Sequence, residues 1–163
     1  MIVNEILGNL KSYDTEGKTI DTVWIDWYEQ DKKLLKKNTD SGEEVGIRVS
    51  VPLKEGDILY ADDRRIVAVD ILPCELAAID VETMQEMGRL CFELGNRHLS
   101  LSIKEHQVLV PFDEPTFLYL EKLGFHPQKR MEKFSDYTIC HAHGHSHSQD
   151  VEHTHAKQHH HEA

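Results

Sequence analysis

The chain has 163 residues, of which 39% are hydrophobic and 29% are charged, and its formal net charge of -11 makes it strongly acidic. That charge argues against a nucleic-acid backbone as the main partner, and every apolar run falls far short of the ~18 residues that a membrane span requires. Three irregularly spaced cysteines exclude a disulfide framework, and no secretory signal pattern is present, so we expect a cytoplasmic protein.

The first 72 residues have the pattern of an all-β domain. Between Thr19 and Trp27, β-branched and aromatic side chains alternate with polar ones, as in a half-buried strand. Shorter apolar runs at residues 44–51, 58–60 and 65–69 are separated by turns. The sequence therefore predicts a small N-terminal β domain over residues 1–72, of a type that binds a partner or a peptide.

One segment of this domain is basic although the whole chain is acidic. Residues 32–37 read Lys-Lys-Leu-Leu-Lys-Lys. A solvated hairpin and a docking surface for an acidic partner both account for this run.

From Pro73 onward, strands and helices alternate. The order strand, helix, strand, strand, helix, strand is that of a ferredoxin-like domain, which we predict over residues 73–139. The whole chain is thus of the α+β class. The predicted elements are a strand at 74–81, a helix at 82–97 capped by Asp80 or Thr83, strands at 99–103 and 107–110, a helix from Pro115 to Gly124, and a strand within 125–137.

The first of these helices carries a candidate ligand at its end. Met84, Met87, Cys91 and Leu94 fall at helical spacing and predict a buried face with Cys91 as a core thiol. His98 follows Leu94 by four positions and extends this stripe. It is either a residue that favours the negative end of the helix dipole or a ligand at the edge of an apolar surface, facing its copy in a symmetric dimer.

Nine of the twelve histidines lie in the last 23 residues. The remainder of residues 140–163 is mostly small, polar or acidic, so we expect a disordered tail in the absence of a ligand. Neutral imidazole suits nickel, copper, zinc and cobalt, which favours several weak, exchangeable metal sites over an expression tag, and uptake is expected to weaken below about pH 6.5. The nine are His141, His143, His145, His147, His153, His155, His159, His160 and His161.

A family resemblance rests on residues 91–98, Cys-Phe-Glu-Leu-Gly-Asn-Arg-His. Gly-Asn-Arg-His resembles the signature of the UreE family, the urease accessory metallochaperones, and the turn at residues 56–59, the helix at 114–124 and the His-rich tail fit the same family. The resemblance implies a homodimer in which His98 and its counterpart bind Ni(II) as cargo, with Zn(II) or Cu(II) as competitors. It also implies delivery of that nickel to apo-urease in complex with the urease accessory GTPase.

The tail histidines are expected to complete or feed the shared site. His143, His145 and His147 are our candidates to reach His98, because they come soon after the last strand. His141, His153 and His155 are further expected ligands, and Cys140 could join a zinc or copper site.

The other chemistry-bearing residues predict no catalysis. His106 and His126 are expected to be solvated, and the chain contains no Gly-rich phosphate loop, Ser/His/Asp order or His-Glu-x-x-His pattern. We therefore expect no enzyme. The alternatives are a His-rich nickel or zinc buffer without a dedicated delivery partner, and a peptide-binding scaffold whose tail is incidental.

Overall fold

A computed structural model of the chain describes residues 1–138. Within that range the polypeptide forms three sheets and two α-helices, which confirms the α+β class. None of the helices in this range is long and apolar enough to cross a membrane. The expected disordered tail lies outside the described residues, and so do Cys140 and the candidate ligands His141, His143, His145, His147, His153 and His155.

The N-terminal half is built from two sheets that enclose an aliphatic core. One sheet has the order β1-β5-β4 and the other β2-β6-β7-β3. Val23, Ile25, Val45, Ile47 and Val69 from both sheets fill the space between them, so the expectation of an N-terminal β domain is confirmed. The strands are β1 (Ile2–Val3), β2 (Gly8–Asn9), β3 (Thr19–Ile25), β4 (Leu34–Asn38), β5 (Glu44–Arg48), β6 (Asp57–Ala61) and β7 (Arg65–Ile71).

The C-terminal half has the predicted ferredoxin-like order. Its sheet has the order β11-β8-β10-β9 with antiparallel neighbours, and both helices pack on one face, where Ile79, Leu90, Val108 and Leu120 are buried. The elements are β8 (Pro73–Asp80), α1 (Met84–Asn96), β9 (Ser102–Lys104), β10 (Gln107–Pro111), α2 (Glu114–Lys122) and β11 (Gln128–Lys133).

The helix boundaries follow from capping side chains. Thr83 Oγ1 accepts a hydrogen bond from the Glu86 N–H at 3.1 Å and starts α1, so of the two predicted caps it is Thr83 that acts. Asp113 Oδ1 accepts from the Thr116 N–H at 3.0 Å and starts α2. Gly124, with φ of 87°, ends α2 in the left-handed conformation that glycine adopts without strain.

The second face of the C-terminal sheet is covered by aromatic side chains, which we call the aromatic seam: Trp27, Phe134 and Tyr137. The Trp27 ring meets Phe134 edge-on at 5.2 Å between centroids, and Phe134 stacks on Tyr137 at 4.9 Å. Since Trp27 precedes β4 and the other two follow β11, the seam joins the two halves of the chain. Leu72 alone separates β7 from β8, and the division into domains at residue 72 stays a prediction.

Polar contacts reinforce the seam. Gln30 Nε2 donates to the Phe134 carbonyl at 3.1 Å, and Tyr137 Oη donates to the Trp27 carbonyl at 3.0 Å. Lys133 Nζ donates to both Asp70 at 2.6 Å and Glu55 at 2.7 Å. The bonds of Gln30 and Tyr137 satisfy polar groups that the aromatic contacts would otherwise leave without water, and the partly exposed Lys133 adds ion pairs between the two halves.

Replacing Tyr137 with phenylalanine is expected to change the alkaline stability of the protein. Burial, together with the nearby Asp31 carboxylate, raises the pKa of Tyr137 to about 12. The phenol of an unfolded tyrosine has a pKa of about 10. Below that pH the phenol contributes its full stabilisation to the folded protein. Between about pH 10 and pH 12 the unfolded chain loses the phenol proton while the folded chain keeps it, so this contribution is lost as the pH rises. The stability difference between the natural chain and Tyr137→Phe, measured by urea unfolding, should therefore narrow between about pH 10 and pH 12. A constant difference would contradict the shift.

Candidate metal site

His98 lies just beyond the end of α1, as the predicted helix end at residue 97 requires. Its backbone leaves the helical conformation and its side chain is exposed, so the prediction that it extends the buried apolar stripe is wrong. Its φ of 57° places it in the left-handed region, the one non-glycine residue there within the described part of the chain. The His98 N–H donates to the Gly95 carbonyl at 2.9 Å, and the Leu99 N–H donates to the Leu94 carbonyl at 3.3 Å. These bonds close the helix in the way that a C-terminal glycine usually does.

The conformation of His98 carries a cost. A residue with a Cβ loses about 1 kcal/mol or more in the left-handed region, although Asn, Asp and His tolerate it better than most. The side chain is exposed, so burial in the core does not offset that cost. The left-handed conformation places the imidazole at the surface, at the end of α1.

The buried face of α1 also differs from the predicted stripe. Leu90 and Leu94 are fully buried, Met87 and Cys91 lie at the edge of the core, and Met84 is 90% exposed. The predicted stripe omits Leu90. Because Met87, Leu90, Cys91 and Leu94 share one side of the helix, the buried face is centred away from Met84. Cys91 packs at the core as expected, and burial raises the pKa of its thiol above the usual range.

The exposed side of α1 carries an apolar strip of small and large residues, which we call the α1 strip: Met84, Gly88, Phe92 and Gly95. Phe92 is 67% exposed. A Cβ at Gly88 or Gly95 would meet nothing within 4 Å, although glycine costs about 1 kcal/mol relative to alanine within a helix. An exposed apolar strip of this kind, with two positions that carry no side chain, suits close contact with another protein surface.

A short network holds the last turn of α1 against α2. Tyr119 Oη donates to Glu93 Oε2 at 2.5 Å, and the Arg97 guanidinium lies 5.0 Å from the centroid of the Tyr119 ring. The hydrogen bond to the Glu93 carboxylate raises the pKa of Tyr119. Because Arg97 directly precedes His98, this network fixes the backbone from which the imidazole projects.

The end of the described chain returns to a point close to His98. The Thr138 N–H donates to the Leu101 carbonyl at 2.7 Å, and the Leu101 N–H donates to the Thr138 carbonyl at 3.2 Å. This antiparallel pair, the Leu101–Thr138 bridge, lies three residues after His98 in sequence. β9 begins at Ser102, where pairing with β10 starts, and not at the predicted residue 99. The bridge is an isolated pair without a periodic pattern, and sequence reasoning missed it.

The other described histidines lie apart from His98. His106 is exposed in the turn between β9 and β10, with Nε2 3.8 Å from Glu105 Oε1, and His126 is exposed before Pro127, so both are solvated as predicted. Within residues 1–138, no group of three or more His, Cys, Asp or Glu side chains is placed to hold a metal ion. The further donors that the sequence predicts for His98 are the tail histidines, which lie beyond the described residues.

The sequence is similar to one family over nearly its whole length. Residues 3–72 match the N-terminal domain of UreE urease accessory protein, and residues 74–162 match its C-terminal domain. The urease accessory protein UreE of Flavobacterium johnsoniae is 40% identical over 135 residues, 79% of this chain and 80% of the relative. That of Haemophilus influenzae is 37% identical over 141 residues, 82% of this chain and 76% of the relative. That of Acetivibrio thermocellus is 41% identical over 137 residues, 83% of this chain and 90% of the relative.

Proposed function

The chain belongs to the UreE family of urease accessory proteins, and from this premise we propose that it is a homodimeric nickel metallochaperone of the cytoplasm and not an enzyme. The tail imidazoles gather Ni(II), His98 and its copy hold the ion at the dimer interface, and apo-urease in complex with the accessory GTPase draws it off. Zn(II) and Cu(II) compete for the same donors, because imidazole binds all three ions.

The observation that carries this proposal is the Leu101–Thr138 bridge. His98 precedes Leu101 by three residues, and His141 follows Thr138 by three. Three residues span at most about 10 Å, so no more than that length of chain connects each of these histidines to the bridge. The tail therefore starts close enough along the chain for His143, His145 and His147 to join His98 around one ion, with His141, His153 and His155 as further donors.

The α1 strip supports the homodimer. Two copies of α1 that cross with Gly88 and Gly95 at the contact would approach closely, and Met84 and Phe92 would be removed from water. Since His98 follows Gly95 by three residues, a two-fold axis near Gly95 would bring the two His98 residues to the same edge of the interface. Two imidazoles supply half of the ligands of a four-coordinate ion, and the tails supply the others.

Replacing Phe92 with aspartate is expected to convert the dimer to a monomer. A carboxylate buried without a partner in an apolar contact costs several kcal/mol, so the dimer dissociation constant should rise at least about 100-fold, equivalent to about 2.7 kcal/mol. Light scattering over a concentration series measures this change. Val51→Asp introduces the same charge at an exposed apolar residue of the N-terminal half and should leave the dimer intact. A dimer that survives Phe92→Asp would place the interface elsewhere.

Reconstituted urease activation tests delivery directly. Apo-urease, the accessory GTPase and limiting nickel are combined with the intact chain, with His98→Asn, or with a chain that ends at Cys140. We expect activation with His98→Asn to fall to the level seen without this protein, and the truncated chain to be slower at low nickel. Full activation by His98→Asn would instead favour a tail-based nickel or zinc buffer without a delivery partner.

A further inference from the structure

The outward face of the β1-β5-β4 sheet departs from the usual alternation of buried apolar and exposed polar residues. Val3, Leu35, Val45 and Ile47 point into the core. The neighbouring positions that face water include two large aliphatic side chains, Ile2 at 80% exposure and Leu34 at 72%. Single exposed apolar residues are common, but two on one small sheet face form a patch that indicates a binding surface.

Strand register leaves a groove between these two side chains. Ile2 pairs with Gly46, and Leu34 pairs with Arg48 on the same strand, β5. Because Gly46 has no side chain, the surface between Ile2 and Leu34 is hollow. The hollow has a volume of about 570 Å³ and is lined by Met1, Ile2, Leu34, Leu35, Lys36, Glu44 and Gly46.

A second hollow lies on the other side of Leu34. Its volume is about 880 Å³, and it is lined by Asn4, Lys33, Leu34, Arg48, Val49 and Ser50. Leu34 thus forms a shared wall, and the two hollows together run across the outward face. We call this surface the β4 groove.

The rim of the β4 groove is basic. Lys32 and Lys37 pair with the buried Glu29 carboxylate, and Lys36 pairs with Glu44 at 2.8 Å. Within residues 1–138, Lys33 and Arg48 have no acidic partner. Both are exposed, and both line the hollow beside Leu34. Two uncompensated cations therefore flank an exposed apolar groove.

We propose that the β4 groove is a docking surface for an acidic protein segment, with an apolar side chain seated between Ile2 and Leu34 and carboxylates at Lys33 and Arg48. The proposal goes beyond nickel handling, since none of its residues belongs to the site at His98. Charge complementarity selects this occupant. A second copy of the chain would bring the basic rim against itself. Two uncompensated cations match a short acidic segment, whereas binding to an anionic membrane takes clusters of about 4–8 Lys and Arg residues.

A labelled peptide tests the proposal. The probe is the hexapeptide Glu-Asp-Leu-Phe-Asp-Glu carrying fluorescein, and its binding to the full chain is followed by fluorescence polarisation. We expect saturable binding that weakens with added salt, because screening reduces attraction between exposed charges. The same peptide with Gln and Asn in place of its acidic residues should bind at least about fivefold more weakly, since surface ion pairs each contribute up to about 1 kcal/mol.

Two variants of the groove and one control make the test specific. The double variant Lys33→Glu with Arg48→Glu is expected to bind the peptide at least about tenfold more weakly. Leu34→Ser should bind it at least about fivefold more weakly, because apolar contact is lost. Lys104→Glu, which reverses an exposed charge on β9, should bind like the natural chain. Nickel binding and dimerisation should be unchanged in all variants, so a failure of the docking proposal is distinct from a failure of the proposed function.

Other outcomes would overturn the proposal. If the double variant binds the peptide as tightly as the natural chain does, the peptide binds elsewhere on the protein. If the natural chain shows no binding at millimolar peptide, the β4 groove is not a docking surface for acidic segments. Binding of vesicles rich in phosphatidylserine, lost in the double variant, would assign the groove to membranes. A larger assembly in light scattering that Leu34→Ser dissolves would assign it to a second copy of the chain.

Discussion

Nickel titration of His98→Asn should show that the tight site has been lost while the fold is kept. Asparagine tolerates the left-handed backbone conformation that His98 adopts, whereas an alanine would add about 1 kcal/mol of strain. The amide lacks an imidazole nitrogen, and in the proposed dimer both copies of the proposed ligand are lost at once. Since loss of a residue that merely orients a ligand already costs 10–100-fold in affinity, we expect a fall of at least about 100-fold.

Calorimetry combined with light scattering measures this effect. A chain that ends at Cys140 serves as the matched comparison, because it removes all nine tail histidines and keeps His98. It should bind fewer ions per dimer and retain one site stronger than any that remain in His98→Asn. If truncation abolishes all binding and His98→Asn has no effect, the ion is held by the tail alone and the assignment of His98 is wrong.

The largest effect on stability is expected from Phe134→Ala. Phe134 is 1% exposed, contacts both other rings of the aromatic seam, and packs with Leu76, Ala78 and Leu109 of the C-terminal sheet. Truncating a buried phenylalanine removes its transfer free energy and leaves a cavity, at a cost of about 3–5 kcal/mol. Because Thr138 follows the seam by one residue, the Leu101–Thr138 bridge should loosen as well, and nickel affinity should fall together with stability.

Urea unfolding followed by circular dichroism tests this expectation. Met131→Ala, at an exposed position of β11 in the same part of the chain, should change the free energy of unfolding by no more than about 0.5 kcal/mol. A loss below about 1 kcal/mol for Phe134→Ala would mean that the cavity collapses and that the seam contributes little to stability. If nickel affinity is unchanged in Phe134→Ala, the packing of the aromatic seam does not influence nickel binding.

Much of the fold was predictable because its signals are local. The helix ends are marked by a capping side chain at Thr83, by the missing N–H of Pro115 and by the left-handed conformation of Gly124. The order of the periodic segments identified the ferredoxin-like half. The pairing of the N-terminal strands was not predictable. The parallel pairs β1 with β5 and β3 with β7 join segments that are distant in sequence, and no local pattern encodes that register.

The features of the candidate site likewise divide into those that local sequence predicts and those that it does not. Gly-Asn-Arg-His could be found as a motif, and the predicted helix end at residue 97 already placed His98 beyond the helix. The left-handed conformation of His98 could not be predicted, since α1 closes without a glycine at that position. Leu90 was missed because the stripe beginning at Met84 fits helical spacing equally well. The Leu101–Thr138 bridge depends on tertiary packing of the segment that follows Phe134. The ligand roles of His98 and of the tail histidines stay predictions.

The aromatic seam also has a consequence for the order in which the protein folds. The hydrogen bonds that cross it join residues 104 and 110 positions apart in the chain. Contacts of such long range form late, because the intervening loop must be closed before they contribute any free energy. During synthesis, the partners of Trp27 leave the ribosome only after both sheets of the N-terminal half are complete. Trp27 packs on the N-terminal core as well as on Phe134 and Tyr137. With Trp24 replaced by phenylalanine, Trp27 fluorescence should therefore change once when the N-terminal half folds and again, later, when the two halves dock.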